Sequence, residues 1–388
     1  MQRPSSEYIL NVGPHHPSTH GVLRLILRLR GEKILGCMPE IGYLHRGVEK
    51  IVENKRFLSI IPYIDRLDYL SPVIQEHAYV IAIEKLLQID VPRRALIIRA
   101  IFDELTRIYS HIMGIGSLTY DLGCLSLFLY GIEEREKIMD IFEMTTGARM
   151  HLTYYIPGGL LSDLSYDCIN SIKSFLDNLD FFIDSTEKLA LDNRIFKDRT
   201  KGIGIVTKNM AIKYGISGVN LRASGINYDI RKSIQYGFYK ELNFEPITLS
   251  DGDCYARNML RFLEIKQSVN LIKQCLELLE PGEIRSFGIF NKEEERNTTD
   301  ELLHGSFFAR GIELPKNSMV YSSVETPRGE FGVHLIVNED RTKPYRLHFK
   351  SPSFATIQML GKLIPGHKLP DVTAILGSLD FIMGGCDR

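Results

Sequence analysis

The sequence predicts an α+β fold, in which a central helical bundle is flanked by β regions from both ends of the chain. Apolar and polar residues alternate over residues 22–29 (VLRLILRL), and a similar alternation returns over residues 332–337 and 345–349. Between these regions, from residue 75 onwards, apolar residues recur at helical spacing. At 388 residues the chain is long enough to bury a substantial core.

We interpret the chain as a single unit made of three consecutive regions. These regions are an N-terminal β region at 1–60, a helical core at 61–282 and a C-terminal α+β region at 283–388. Residues 31–33 (GEK) predict a hairpin turn after the strand at 22–29. The charge run at 291–297 (NKEEERN) is typical of a solvated loop.

Five helices are predicted in the helical core. The first covers residues 75–88, where Ala78, Ile81, Ala82 and Leu86 form one apolar stripe. Pro92 then begins a longer helix, because proline is favoured in the first turn. The remaining three helices are predicted at 133–146, 168–191 and 255–279.

Composition excludes several classes of protein. The chain has 47 basic and 48 acidic residues, and this balance argues against nucleic-acid binding, which needs a basic face. No apolar run reaches the length of a transmembrane helix. The first residues, MQRPSS, are too short and too polar for a signal peptide or presequence. We expect either synthesis in the compartment where the chain works or a missing presequence.

The six cysteines are scattered and include no C-x-x-C pair. They are Cys37, Cys124, Cys168, Cys254, Cys275 and Cys386. This spacing does not fit a zinc ribbon, an iron–sulfur ligand set or a disulfide framework. Free thiols in a reducing compartment are the simplest interpretation.

The loop at residues 13–21 (GPHHPSTHG) places three histidines between prolines and glycines. The prolines prevent His15, His16 and His20 from lying on one regular helix or strand. These histidines could bind a metal, hydrogen-bond within the fold, or donate a proton to a ligand. Local sequence does not choose among the three.

Residues 61–70 (IPYIDRLDYL) bring carboxylates and tyrosines to the entry of the first predicted helix. Asp65 or Asp68 could cap that helix while Tyr69 packs in the core. Alternatively, the Tyr69 hydroxyl, which is protonated at neutral pH, could donate to a carbonyl oxygen.

Three further segments carry charged residues near predicted turns. Asp121, after a predicted helix, is either a turn residue or a carboxylate that orients a histidine. Arg149 and His151, in the bend at 147–151, could face an anionic or redox-active partner or belong to a surface turn. The segment at 325–332 (ETPRGEFG) predicts a tight turn with a charged tip, to which local physics assigns no chemistry.

Ten segments, in order along nearly the whole chain, resemble one known family. They are residues 11–24 (NVGPHHPSTHGVLR), 41–50 (IGYLHRGVEK), 65–70 (DRLDYL), 75–79 (QEHAY), 133–137 (EEREK), 147–151 (GARMH), 217–222 (SGVNLR), 252–255 (GDCY), 324–333 (VETPRGEFGV) and 387–388 (DR). The family is that of the forty-nine-kilodalton subunit of NADH:ubiquinone oxidoreductase, respiratory complex I.

The resemblance also implies a fold similar to the large subunit of nickel–iron hydrogenases. The hydrogenase metal requires two C-x-x-C pairs, and the corresponding stretches here are 65–68 (DRLD) and 385–388 (GCDR). A lone Cys386 cannot hold a binuclear centre, so no metal is expected in this chain. Two other functional classes are alternatives to this family. One is a non-catalytic scaffold, and the other is a hydrogenase-type or formate-lyase-type large subunit.

The resemblance implies a reaction and site residues. Electrons from NADH would pass through iron–sulfur clusters of partner subunits to ubiquinone, which would bind where the hydrogenase metal lies. His20 and Tyr69 would donate protons to the quinone carbonyls, and Asp121 would be paired to the histidine. Arg46 and His151 would lie near the terminal cluster.

The resemblance implies partners and a location as well. This chain alone would bind no cofactor. Ubiquinone would be its substrate, and a 4Fe–4S cluster would be held by the neighbouring small subunit. Other partners would be the subunit of the thirty-kilodalton type and the membrane-arm quinone-channel subunit. Electron transfer would be coupled to proton translocation. The location would be the matrix side of the mitochondrial inner membrane or, alternatively, the cytoplasmic face of a bacterial inner membrane.

Overall fold

Two three-stranded antiparallel sheets, one from each end of the chain, flank a set of long helices. The computed structural model describes residues 6–15, 21–286 and 311–388. This architecture confirms the predicted α+β class. The predicted loop at 291–297 lies outside the described residues.

The N-terminal sheet consists of β1 (Glu7–Val12), β2 (Arg24–Arg30) and β3 (Lys33–Glu40), in that order. Every second residue of the β2 region is apolar and fully buried, as the alternation predicts. The predicted hairpin turn is confirmed, because β2 and β3 pair up to Arg30 and Lys33. Gly31 occupies the left-handed conformation, φ 62°, which this turn requires.

Helices make up the centre of the molecule. The bounds are α1 (Val48–Val52), α2 (Ile61–Ile64), α3 (Pro72–Leu87), α4 (Arg93–Asp121), α5 (Leu125–Thr146), α6 (Tyr166–Leu191), α7 (Arg194–Thr200), α8 (Lys208–Tyr214), α9 (Gly218–Arg222), α10 (Ile230–Ser233) and α11 (Cys254–Glu277). A short 3₁₀ helix at Phe57–Ile60 precedes α2, and the two-residue strands β4 (Tyr155–Ile156) and β5 (Gly159–Leu160) follow α5.

The five predicted helices correspond to α3, α4, α5, α6 and α11. The predicted start of α5 at residue 133 is wrong, because the helix begins at Leu125. Its first two turns expose apolar side chains, Leu125, Leu129 and Tyr130 among them, so they lack an amphipathic pattern. No helix within the described ranges is long and apolar enough to cross a bilayer.

The C-terminal region adds a second sheet and three helices. The strands β6 (Ser318–Thr326), β7 (Gly329–Val337) and β8 (Arg346–Lys350) form the sheet in that order. They are followed by α12 (Pro352–Leu363), α13 (Asp371–Leu379) and α14 (Met383–Asp387). The sheet packs on α3, α13 contacts α4 and α11, and the five-residue α14 lies against α12. The C-terminal region therefore packs on α3, α4 and α11, and its helix α12 also contacts β3 of the N-terminal sheet.

Candidate functional site

Tyr69 lies in the short connection between α2 and α3. Its side chain is 43% exposed, so the interpretation of Tyr69 as a core residue is wrong. Partial desolvation by the protein around it raises the pKa of Tyr69 above its ordinary value. The phenol is therefore protonated at neutral pH and can act as a donor.

Asp68 organises the turn that holds Tyr69. Its Oδ1 accepts from the Leu70 backbone N–H at 3.1 Å, and its Oδ2 accepts from the Ser71 hydroxyl at 2.6 Å. Ser71 is the residue before α3, and Pro72 begins that helix. The predicted capping role is wrong, because the N-cap of α3 is Ser71 and no side chain among the described residues caps that helix; Asp68 instead orders the turn immediately beside Tyr69.

A buried arginine from the other end of the chain completes this turn. Arg328 donates to Asp68 Oδ2 at 2.9 Å and to Asp380 Oδ1 at 3.3 Å. The predicted tight turn is confirmed, because Thr326 pairs with Gly329, and Arg328 at its tip is buried, with only 4% exposed. The hairpin between β6 and β7 is covered by the start of α9, where Gly218 and Gly329 are in contact.

The C-terminal helix α14 packs directly on this turn. A Cβ at Gly384 would lie 2.8 Å from the Leu67 carbonyl oxygen, so only glycine permits the contact. Asp387 in turn accepts from the backbone N–H groups of Gly42 at 2.9 Å and Leu44 at 2.7 Å. The segments at 65–68 and 385–388, which the resemblance pairs, are therefore adjacent.

Cys386 belongs to α14 and is an isolated buried thiol. Its Sγ lies 3.4 Å from the Ile382 carbonyl oxygen, and burial raises the pKa of the Cys386 thiol. All six cysteines are free. Among the described residues, no group of three or more His, Cys, Asp or Glu side chains could hold a metal ion.

Arg46 and His151 lie around a third residue, Arg66. Arg46 donates to the Arg66 carbonyl oxygen at 3.0 Å, and both arginines are exposed. Burial, followed by the positive charges of Arg66 and Arg46, lowers the pKa of His151. The structure thus brings together two residues that the sequence separates by more than a hundred positions. Arg66 was not identified from the sequence.

Arg149, two residues before His151, belongs to a different surface. It pairs with Glu136, with Asp140 at 2.9 Å and with Glu143 at 3.5 Å, all on α5. The structure therefore supports the surface-turn interpretation of Arg149.

The structure describes only part of the histidine loop. His16 and His20 lie outside the described residues, so none of the roles considered for them is tested. The backbone of His15 pairs with Val22 and closes the base of the loop. A Cβ at Gly21 would lie 3.1 Å from Met383 Cγ, so the loop ends against α14.

Asp121 is the last residue of α4 and is half-buried. The charges that act most strongly on the Tyr69 hydroxyl are those of Arg328, Asp68, Asp380 and Arg135, and Asp121 is not one of them. An orienting role toward His20 stays a prediction, since His20 is outside the described residues.

Comparison with known proteins identifies the family. Residues 121–388 match the family model described as "Respiratory-chain NADH dehydrogenase, 49 Kd subunit". The chain is 43% identical over 385 residues to the D subunit of NADH-quinone oxidoreductase from Wolbachia pipientis wMel, with 98% of both chains covered. It is 44% identical over 384 residues to the protein of the same name from Pelagibacter ubique, again with 98% of both covered. The chain belongs to this family of respiratory-chain NADH dehydrogenase subunits.

This member of the family also contains a buried ionic network that the sequence patterns did not predict. Arg222 lies 2.7 Å from both Glu264 and Glu325, and Arg231 lies 3.0 Å from Glu104. All five side chains are at most 1% exposed. Charged residues in segments such as 217–222 and 324–333 are typical of surfaces, so only their pairing across the fold reveals them.

Proposed function

We propose that this chain is a core subunit of an NADH:quinone oxidoreductase and forms the quinone reduction site at its interface with an iron–sulfur small subunit. The family membership and the names of the two relatives support the assembly. The exposed but protonated Tyr69, held by the Asp68–Arg328 pair, is the observation that supports the site.

The chemistry of a quinone explains why Tyr69 is suited to the site. Reduction to the quinol consumes two electrons and two protons. An unprotonated quinol oxygen in a dry pocket would be costly, so a donor beside each carbonyl lowers the barrier. A tyrosine with a raised pKa keeps its proton until the oxygen becomes basic enough to take it.

His20 is proposed as the second proton donor, with Asp121 as the carboxylate that orients it. Two contacts of α14 support a common pocket. Gly21, next to His20, lies against Met383, and Gly384 lies against Leu67, two residues before Tyr69. The helix α14 would then form the wall between the histidine loop and the tyrosine.

Arg46 and His151 are proposed to face the 4Fe–4S cluster of the neighbouring small subunit. The exposed arginines of this group would favour the reduced cluster, and His151 would make its potential depend on pH. The loop around Arg46 also exposes Ile41 (37%), Tyr43 (42%) and Leu44 (36%), which fits a surface covered by a partner. The cluster itself supplies electrons, and no residue of this chain is proposed to ligate it.

The remaining parts of the proposal concern the assembly. Its other partners would be the subunit of the thirty-kilodalton type and the membrane-arm quinone-channel subunit, and quinone reduction would be coupled to proton translocation. Membrane association would be peripheral. The two relatives are bacterial, so they do not favour the mitochondrial inner membrane over a bacterial one. The hydrogenase-like fold also stays a prediction.

The experiment that tests the site is Tyr69→Phe in the intact complex. We expect NADH to reduce the iron–sulfur clusters normally while reduction of a short-chain quinone falls about 100-fold or more, the usual effect of losing a positioned acid. Tyr166→Phe is the matched control, because Tyr166 is 77% exposed on α6. Near-normal quinone reduction in an intact Tyr69→Phe complex would refute the donor role. If the wild-type chain assembles into the complex but the complex reduces no quinone, the result would favour the alternative that this chain is a non-catalytic scaffold.

A further inference from the structure

Asp65 and Glu76 are two carboxyl groups that face each other in the interior. Asp65 directly follows α2 and Glu76 lies on α3, and both are fully buried. Thr153 and Tyr154 are neighbours in the chain, and they donate to Asp65 and to Glu76 respectively, so the two carboxyl groups lie side by side. Two ionised carboxylates in this position would repel each other, and neither has a hydrogen to donate to the other. A proton on one of them removes the repulsion and supplies the donor.

The outer oxygens of the pair are occupied by neutral donors. Asp65 Oδ2 accepts from the Thr153 hydroxyl at 3.0 Å. Glu76 Oε2 accepts from the backbone N–H groups of Tyr154 and Tyr155, both at 2.8 Å. The remaining oxygens, Asp65 Oδ1 and Glu76 Oε1, are buried and have no hydrogen-bond partner among the described residues. A single proton shared between them would satisfy both.

Glu84, two turns further along α3, is a buried carboxylate that is paired with a cation. Arg99 donates to both of its oxygens, at 2.7 and 3.2 Å, and the Gly158 backbone N–H donates at 2.8 Å. Asp65 and Glu76 have no comparable cation donating to them in the residues described. The two sites on one helix are therefore chemically different.

We propose that Asp65 and Glu76 form a proton-binding site that holds one shared proton at neutral pH and responds to charge at Arg46, Arg66 and His151. Burial raises the pKa of Asp65 to about 6 and that of Glu76 well above its ordinary value. Both shifts favour a bound proton, and in so close a pair that proton belongs to the two carboxyls together rather than to either residue.

The surrounding charges connect the site to His151. Arg66, the residue after Asp65, lowers the pKa of Asp65 and also that of His151. Thr153 links Asp65 to the loop that carries His151. On the far side, Tyr155 donates to Asp103, which is paired with His77. A negative charge added near Arg66 would raise the affinity of the pair for its proton.

The first test asks whether the pair is protonated. Glu76→Gln places an amide where the acid was, with an N–H toward Asp65 and an oxygen toward Tyr154. Amide hydrogen exchange in the intact complex should then show α3 opening within about 3-fold of the wild-type rate. Glu84→Gln, the matched control, leaves the buried Arg99 without its carboxylate counter-ion and should speed opening at least about 100-fold. If both variants speed the opening of α3 equally, the proposal that Asp65 and Glu76 share a proton is wrong.

The second test asks whether the proton responds to charge, and this part rests on the proposed function. Infrared difference spectra of the reduced minus the oxidised complex should contain a protonated-carboxyl band that shifts in D₂O. Both Asp65→Asn and Glu76→Gln should remove that band, and Glu84→Gln should keep it. If the band persists in both Asp65→Asn and Glu76→Gln, the proton of the pair does not respond to the change in charge. Tyr69→Phe should not affect the band, so failure of the quinone site is separately visible.

Discussion

The guanidinium of Arg328 donates to the carboxylate of Asp68 at 2.9 Å, although 260 positions separate the two residues. Asp68 also accepts from the two residues that follow Tyr69, so this ion pair determines where the tyrosine sits. Both partners are at most 7% exposed, which makes the pair a buried one whose disruption is costly. The position of the proposed proton donor therefore depends on a hairpin from the opposite end of the chain.

Replacing Arg328 by glutamine should damage the site. Asp68 would remain buried without its counter-ion, and Asp380 would keep only Arg261 at 3.9 Å, at a cost of about 3–5 kcal/mol in the free energy of unfolding. The pKa of Tyr69 would rise, because Arg328 is the main charge that lowers it. We expect faster hydrogen exchange at residues 65–71 and reduced quinone reductase activity in the intact complex. Arg149→Gln, which removes an exposed arginine, should change neither quantity, and equal results for the two variants would contradict the prediction.

Replacing Gly329 by alanine should displace the same hairpin. Its φ is +128°, and a Cβ would lie 2.4 Å from Ser217 Oγ and 2.8 Å from the Ser217 carbonyl carbon. The backbone must shift, and we expect a loss of at least about 2 kcal/mol together with lower activity. Gly31→Ala is the control: its φ is +62° but nothing lies within 4 Å, so the cost should be about 1 kcal/mol. Hydrogen exchange of the β6–β7 hairpin measures the difference between the two variants. Equal exchange in both would show that the contact between Gly329 and Ser217 is unimportant.

His151 and Arg66 should control the pH dependence of the terminal cluster's potential. His151→Met should remove that dependence, because the titrating imidazole is lost. Arg66→Gln should move the break in the profile to higher pH, since Arg66 is the main charge lowering the pKa of His151. Redox titration at several pH values in the intact complex measures both effects. Arg149→Gln should leave the profile unchanged, whereas an unchanged slope in His151→Met would argue against the proposed placement.

His111 should make the helical core sensitive to acid. Burial lowers the pKa of His111, whose Nε2 lies 2.8 Å from Glu264 Oε2. Below about pH 6.5 an unfolded chain protonates this histidine while the native chain does not, so stability is lost as the pH falls. We expect α4 to open more readily at pH 5.5 than at pH 7, and His111→Gln to reduce that difference. His348→Gln, at a side chain that is 46% exposed, should retain the wild-type pH dependence.

Local sequence patterns predicted most secondary structure because they reflect local physics. The alternation at 22–29 describes a strand with one buried face, and β2 has that face. The start of α5 was missed, since its first turns expose apolar side chains and carry no amphipathic signal. The hairpin at 325–332 forms the predicted tight turn, but the burial of Arg328 at its tip was not predicted, because buried charges look like surface charges until their partners are known.

The sequence by itself determined the fold class, the family and the chemical types at the candidate site: a phenol, imidazoles and carboxylates. Those properties depend on residue identity and on spacing within short segments. Only the tertiary structure decided which charges are paired. It joined Arg328 to Asp68, gathered Arg46 and His151 around Arg66, and left Asp65 and Glu76 facing each other with neutral donors. The physical reason is that protonation and ion pairing depend on burial and on distances between residues far apart in the chain.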